Sequence, residues 1–318
     1  MTHDLSSGLG PSATLSAAVA WLPEPAFAVI DGAWFDDLPS ILTAARLTHR
    51  SLFRDEGDRD TLLAGPWLVD LGGVDHAARI DRVLSVAGGH PALVVWSCPA
   101  GEAALHRHLR GLNEVMFPRR PRLGPDADAF VEPAGATHER LLFRHWDPRV
   151  LASVAPLLDE EQAARLLGPS QGVALDAGYG RGVALIRRPE GLPDAPAGPL
   201  RFTPEQIAQL DAQYAERFRW NTVAYLRRHC AEELADLDDR TLFAGVVRTE
   251  AQARALGLHE GPQLRKWAWL CAQPDFAGHE AATRAFLADR ANGRDPSARF
   301  ERMWTRIVER LDAGREMF

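Results

Sequence analysis

Lysine is nearly missing from this chain of 318 residues: Lys266 is the only one, so arginine carries almost all of the positive charge. With a formal net charge of −7, the sequence offers no basic field for a polyanion, and nucleic acid is excluded as an expected partner. Cysteine is scarce as well. Cys98, Cys230 and Cys271 are odd in number and form no C-x-x-C pair, which argues against a disulfide framework or a zinc site and for a reducing compartment. No apolar run approaches the roughly 20 residues that a membrane-spanning helix needs. The apolar patch from Ala17 to Leu22 has no basic segment before it, so no signal peptide is expected. These absences predict a soluble cytoplasmic protein with neither a membrane nor a nucleic-acid partner.

What is present is enough to build a sizeable core. Hydrophobic residues make up 46% of the chain, and its length suits two units better than one. Strand patterns appear at Ala26–Ile30, Trp67–Leu71, Leu93–Ser97, Arg140–Trp146, Val173–Asp176 and Val183–Arg188, and helical patterns at Asp37–Leu47, Asp75–Val86, Gly101–Leu112, Pro148–Leu157 and Glu160–Leu167. Their alternation predicts an α/β (α+β) N-terminal lobe, a mixed sheet flanked by helices. The stretch 118–137, rich in Pro, Gly, Arg and Asp, reads as an exposed loop. Prolines at 189, 193, 196 and 199 then mark a boundary. Beyond it the period is helical. Thr203-Pro204-Glu205-Gln206 has the form of a capping box, with Ile207, Leu210, Tyr214, Phe218 and Tyr225 on one face. The expected organisation is a flexible N-terminus at 1–23, an α/β domain at 24–188, a Pro-rich linker at 189–202 and an all-helical C-terminal lobe at 203–318.

The most informative stretch is Phe143-Arg144-His145-Trp146-Asp147-Pro148-Arg149-Val150-Leu151. Arg140 to Trp146 alternates as a covered strand would, with Leu141, Phe143 and His145 on one face. Asp147 then sits where a helix N-cap belongs, with Pro148 at the first helical position, where no N–H donor is required. Arg144, Trp146, Asp147 and Arg149 are the candidate organisers here, with capping and sheet cover favoured over direct partner contact. Trp220, Trp267 and Trp269 lie among charged neighbours on helical segments and are candidates for an interaction surface, since Trp is favoured at binding hot spots.

Two enzyme motifs occur as text. Asp176-Ala177-Gly178-Tyr179-Gly180-Arg181-Gly182 resembles the glycine-rich motif of S-adenosylmethionine-dependent methyltransferases. It leads into the β-type run Val183–Ile186 and then Pro189, so a hairpin is the better account. Gly168-Pro169-Ser170-Gln171-Gly172 fits G-x-S-x-G, yet a nucleophile elbow needs strand before serine and helix after it, the reverse of the order here. His106 and His108 are two apart on a helical pattern and cannot form an i, i+4 metal pair; surface or partner-contact positions are expected for both. Cys98 reads as an inert buried thiol, and no pair of acids nominates a hydrolase site. No catalytic, cofactor-binding or metal-binding residue is therefore predicted, and no cofactor.

The 143–151 stretch resembles the signature of the type VI secretion adaptor and effector-chaperone family, a bacterial group first catalogued as a domain of unknown function, in which an aromatic-Asp-Pro-Arg-Val step recurs. Phe27-Ala28-Val29-Ile30-Asp31-Gly32-Ala33 resembles the family's first strand and its exit. Ser51-Leu52-Phe53 and Gly65-Pro66-Trp67-Leu68-Val69 resemble its next landmarks, Leu105–Leu112 its helix before the signature, and Gly168-Pro169 its closing turn. The resemblance covers about the first half of the chain, in order. It implies a non-enzymatic adaptor that binds an effector toxin and hands it to the spike-tip protein of the type VI apparatus. The alternatives are a methyltransferase built on Asp176–Gly182 and a structural component of the apparatus.

Overall fold

The computed structural model describes residues 6–8, 14–53, 58–119, 137–177 and 182–314. It comprises two compact units, Met1–Leu210 and Asp211–Phe318. The first runs β1 (Ser6–Gly8), α1 (Leu15–Val19), β2 (Ala26–Asp31), α2 (Leu38–Ala44), β3 (His49–Ser51), α3 (Arg59–Leu63), β4 (Pro66–Asp70), α4 (His76–Ala87) and β5 (Leu93–Ser97). It continues with α5 (Glu102–Arg110), β6 (Glu114–Pro118), β7 (His138–Leu142), α6 (Pro148–Val154), α7 (Glu160–Leu167), β8 (Gly172–Asp176), β9 (Val183–Arg187) and β10 (Leu200–Arg201).

Seven strands form one sheet in the order β1-β9-β8-β5-β2-β4-β3, and each neighbouring pair is antiparallel. A second sheet, β10-β6-β7, contains the parallel pair: β6 runs parallel to β10 and antiparallel to β7. The fold class is thus the α+β arrangement that the sequence predicts, with mixed pairing confined to the smaller sheet.

Alternation along the strands sends side chains to two separate cores. Phe27, Val29, Val94, Trp96, Val173 and Leu175 pack on one face with Leu105 and Leu109 of α5, Leu151 of α6 and Leu166 of α7. Ala28, Ile30, Val69, Leu93, Val95 and Leu185 pack on the other with Val19 of α1, Leu38 and Leu42 of α2 and Val83 of α4. Covered on both sides, β2 and β5 are buried at every position. This is why they read as unbroken apolar runs in the sequence.

Several boundaries differ from the sequence reading. The strand expected over Arg140–Trp146 ends at Leu142. β7 is an edge strand of the small sheet, and both Leu141 and Leu142 are exposed, so no covered face rewards continued alternation. The backbone then turns, with His145 N donating to Phe143 O at 2.9 Å. At the start of the chain, α1 lies in the 1–23 segment and buries Ala18 and Val19. Within 189–202, β10 pairs with β6, and Leu200 and Phe202 are buried in the first unit's core. Most of the loop expected at 118–137 falls outside the described residues.

α8 (Pro204–His229) begins in the first unit, and the division between the units falls within it. Its start is the expected capping box: Gln206 N donates to Thr203 Oγ1 at 3.3 Å and Thr203 N to Gln206 Oε1 at 2.9 Å. The second unit adds α9 (Asp239–Ala255), α10 (Gly261–Ala272), α11 (Phe276–Ala288) and α12 (Pro296–Asp312). Asp238 and Asp295 cap α9 and α12 through their carboxylates. Trp267, Phe276, Leu287 and Phe300 form the centre of one apolar cluster, and Val223, Leu226, Leu242 and Val246 of another.

Candidate functional site

The conspicuous stretches of the N-terminal sequence meet at one place, beyond the end of β2. Gly32 leaves that strand against the backbone of 63–65, so closely that a Cβ there would lie 2.0 Å from Leu63 O and 2.5 Å from Gly65 O. Gly32 N donates to Gly65 O at 3.0 Å. Gly65 is itself roofed by Phe53, whose ring would stand 2.6 Å from an added Cβ. Phe53 in turn meets Trp146 edge-on, with ring centroids 5.6 Å apart. Trp146 is buried.

Charge is arranged on the same scaffold. Asp31 and Asp147 are buried carboxylates, with side chains 2% and 6% exposed, whereas the arginines that pair with them, Arg144 and Arg149, are 41% and 31% exposed. Arg144 Nη2 donates to Asp31 Oδ2 and lies 4.0 Å from Asp147 Oδ2. Asp31 Oδ1 also accepts from Ala33 N at 3.2 Å. Asp147 caps α6 by accepting from Arg149 N at 2.9 Å, and its carboxylate takes two further bonds from the Arg149 guanidinium, Nε to Oδ1 at 3.0 Å and Nη2 to Oδ2 at 2.9 Å. Burying a carboxylate is costly unless it is paired and hydrogen-bonded; each of these is both. The result is two anions held inside and two guanidiniums presented outward.

Behind this cluster His145 is wholly buried, and its Nε2 meets Asn113 Oδ1 at 3.0 Å. Asn113 Nδ2 donates to Leu52 O at 3.0 Å, which assigns Oδ1 as the acceptor and places the imidazole proton on Nε2. Burial pushes the His145 pKa down to about 3. Phe143 N donates to Asn113 O at 2.8 Å, so Asn113 ties the signature to the 51–53 stretch.

Residues 26–165 match a family model, the domain of unknown function DUF4123. The DUF4123 region opens with β2, ends within α7 and includes Asp31, Gly32, Phe53, Gly65, Arg144, Trp146, Asp147 and Arg149. The second unit lies outside it. No curated protein and no solved structure matches the chain.

Asp31, Asn113 and His145 were not legible as partners. Asp31 reads in the sequence as the exit of a strand, and nothing local couples it to Arg144. The remaining candidates are dispersed. Trp220 is 43% exposed and lies tilted against Phe243, with ring centroids 4.6 Å apart. Trp269 is half-buried, edge-on to Trp304. Trp267 is fully buried against Phe276 and Phe300, a core residue and no part of a surface; its charged neighbours in sequence face elsewhere on α10. His106 and His108, expected at the surface, both turn inward. His106 Nε2 meets Ser51 O at 2.9 Å and His108 Nε2 meets Leu166 O at 2.9 Å. Burial lowers both pKa values, that of His108 to about 4.

The enzyme-like motifs take structural positions. β8 and β9 pair antiparallel from Asp176↔Val183 onward, and Ala177 N donates to Gly182 O at 3.2 Å. The described residues on either side of the motif are thus strand and strand, where a methyltransferase motif needs a helix after its glycines; positions 178–181 lie outside the described residues. Ser170 is buried between α7 and β8, the opposite order to a nucleophile elbow. Burial raises the thiol pKa of Cys98 and of Cys230, and pushes that of Cys271 up to about 12, away from the thiolate that nucleophilic chemistry needs. Among the described residues no three His, Cys, Asp or Glu side chains are grouped to hold a metal ion, and no helix is long and apolar enough to cross a membrane.

Proposed function

We propose that this protein is a non-enzymatic adaptor that binds an effector toxin in the bacterial cytoplasm and promotes its loading onto the spike tip of a type VI secretion apparatus. The observation that carries this reading is the DUF4123 match over residues 26–165, within which all the landmarks resembling adaptor proteins except the closing Gly168-Pro169 turn occur in order. The geometry supports it from the chemical side. Asp147 and Asp31, the acids of the signature cluster, are engaged in capping and ion pairing, which suits residues that hold a binding surface in shape. Arg144 and Arg149 keep partial exposure at its rim, where guanidiniums serve partner recognition. The half-exposed Trp220 stands as a further contact candidate in the helical unit.

Against the methyltransferase alternative, the residues flanking its motif pair as antiparallel strands, β8 with β9. A structural role in the apparatus makes a different prediction, namely sedimentation with assembled particles. Co-expression of the chain with the toxin and spike proteins encoded beside its gene tests the adaptor reading. A stable complex with the toxin is expected, and its absence, together with sedimentation in assembled particles, would replace adaptor by component.

A further inference from the structure

On the first unit a cleft of about 480 Å³ opens between β3 and α5, lined by Arg50, Ala103, His106, Arg107, Arg110 and Gly111. Among the described residues its lining carries three guanidiniums and no carboxylate. Arg107 and Arg110 have no carboxylate partner among the described residues, and Arg50 has only Glu102 at 3.9 Å, with both side chains well exposed. Gly111 of the lining also accepts from Arg165 Nη2 at 2.8 Å. The bond from His106 Nε2 to Ser51 O fixes α5 against β3, so that Arg50 faces the helix arginines across a defined gap.

Helix-terminal arginines commonly do no more than offset the negative end of the helix dipole, and Arg107 and Arg110 are in the last turn of α5. That role does not account for Arg50, which comes from a different element, or for an open cleft between them. In a chain whose net charge is −7, three guanidiniums around one concavity, two of them without a carboxylate partner among the described residues, are a local exception that suits an anion.

We infer that this cleft binds an acidic, extended segment of a protein partner. Ala103, Arg107 and Arg110 follow the i, i+4, i+7 spacing of one helix face and span about 10 Å. An extended peptide covers that distance in about three residues, whereas a single phosphate ion would fill only a small part of it. Nucleic acid is the poorer fit, because the net negative charge of the protein opposes a long polyanion beyond the cleft. Alternating acids on a peptide would reach Arg107 and Arg110 on one side and Arg50 on the other, and bidentate carboxylate pairing suits guanidinium over ammonium. This inference deepens the adaptor reading, on which it rests, by naming the chemistry of the captured segment.

The test is fluorescence anisotropy on the full chain with a labelled peptide of alternating Glu and Ser, its Gln and Ser counterpart, inorganic tripolyphosphate and a short oligothymidylate. The acidic peptide is expected to bind, to weaken as salt rises, and to lose at least tenfold in affinity in the Arg107→Glu, Arg110→Glu double variant. Arg50→Ala, on another element, keeps the test valid if the double variant fails to fold, and an approximately threefold loss is expected there. Equal binding of the Gln and Ser peptide, affinity unchanged in these variants, or tighter binding of tripolyphosphate or oligothymidylate would overturn the proposal. Undiminished capture of the neighbouring toxin by a folded double variant would overturn it too, while leaving the adaptor reading in place.

Discussion

Arg144 donates its Nη2 to the carboxylate of Asp31 across 113 positions of sequence, joining the signature stretch to the exit of β2. The two partners are unequal: Asp31 is buried and Arg144 is partly exposed. Removing the cation strands a charge inside, whereas removing the anion lets the guanidinium turn to water. Arg144→Ala should therefore cost about 3 kcal/mol, and Asp31→Asn distinctly less. Urea unfolding of both variants checks the asymmetry, and equal losses would show that the pair acts only as a surface bridge.

Asp147 combines a cap with a bidentate ion pair on one carboxylate. Loss of a cap alone costs about 1 kcal/mol. With the Arg149 pairing added, Asp147→Ala should lose about 2 kcal/mol, and Asp147→Asn about half of that, since the amide oxygen retains the cap but not the charge. Equal stability of the Asn and Ala variants would contradict the division of labour.

Much of this unit is readable from sequence, and the failures have a common origin. The strand Leu93–Ser97, the helix Glu160–Leu167 with its Asp159 and Gln162 capping box, and the Asp147 cap are encoded by neighbours within a few positions, and the structure forms each of them there. β6 was missed because only Val115 of Glu114–Pro118 is fully buried, so no alternation marks it, and β10 because its two residues cannot show a period. The Arg140–Trp146 alternation misled because a pattern of side chains cannot tell whether a second layer covers it. Trp267 misled similarly: its flanking Arg265, Lys266 and Trp269 describe the helix's other faces. The Arg144–Asp31 pair and the arginine cleft are long-range products of topology, invisible to local reading.

Glycine packing makes a prediction of opposite signs. At Gly32 an added methyl meets backbone oxygens 2.0 and 2.5 Å away, which cannot yield without moving α3 and β4. Gly32→Ala should lose about 3 kcal/mol or more, as overpacked sites do. Gly278, within α11, has nothing within 4 Å of an added Cβ, so Gly278→Ala should gain about 0.5–1 kcal/mol from helix propensity. Thermal melts of the two variants should shift in opposite directions.

The buried histidines should make stability fall on the acid side of neutrality. His108 and His145 have folded pKa values depressed to about 4 and about 3, below the ordinary value near 6.5 of an unfolded chain. Above pH 6.5 both states are neutral and the rings contribute no slope. As pH falls below 6.5 the unfolded chain takes up protons first, so stability declines progressively toward pH 4. His108→Gln should flatten that decline in urea titrations run at a series of pH values; an unchanged slope would mean that carboxylates alone govern it.

The most direct test of the central claim, that this chain works by binding a protein and not by chemistry, is a paired measurement on the purified protein. Co-expression with the toxin encoded beside its gene should yield a complex that survives size-exclusion chromatography, and calorimetry with S-adenosylmethionine should show no binding heat. Micromolar cofactor binding that disappears in Asp176→Ala, with no toxin recovered, would contradict the account and restore the methyltransferase reading.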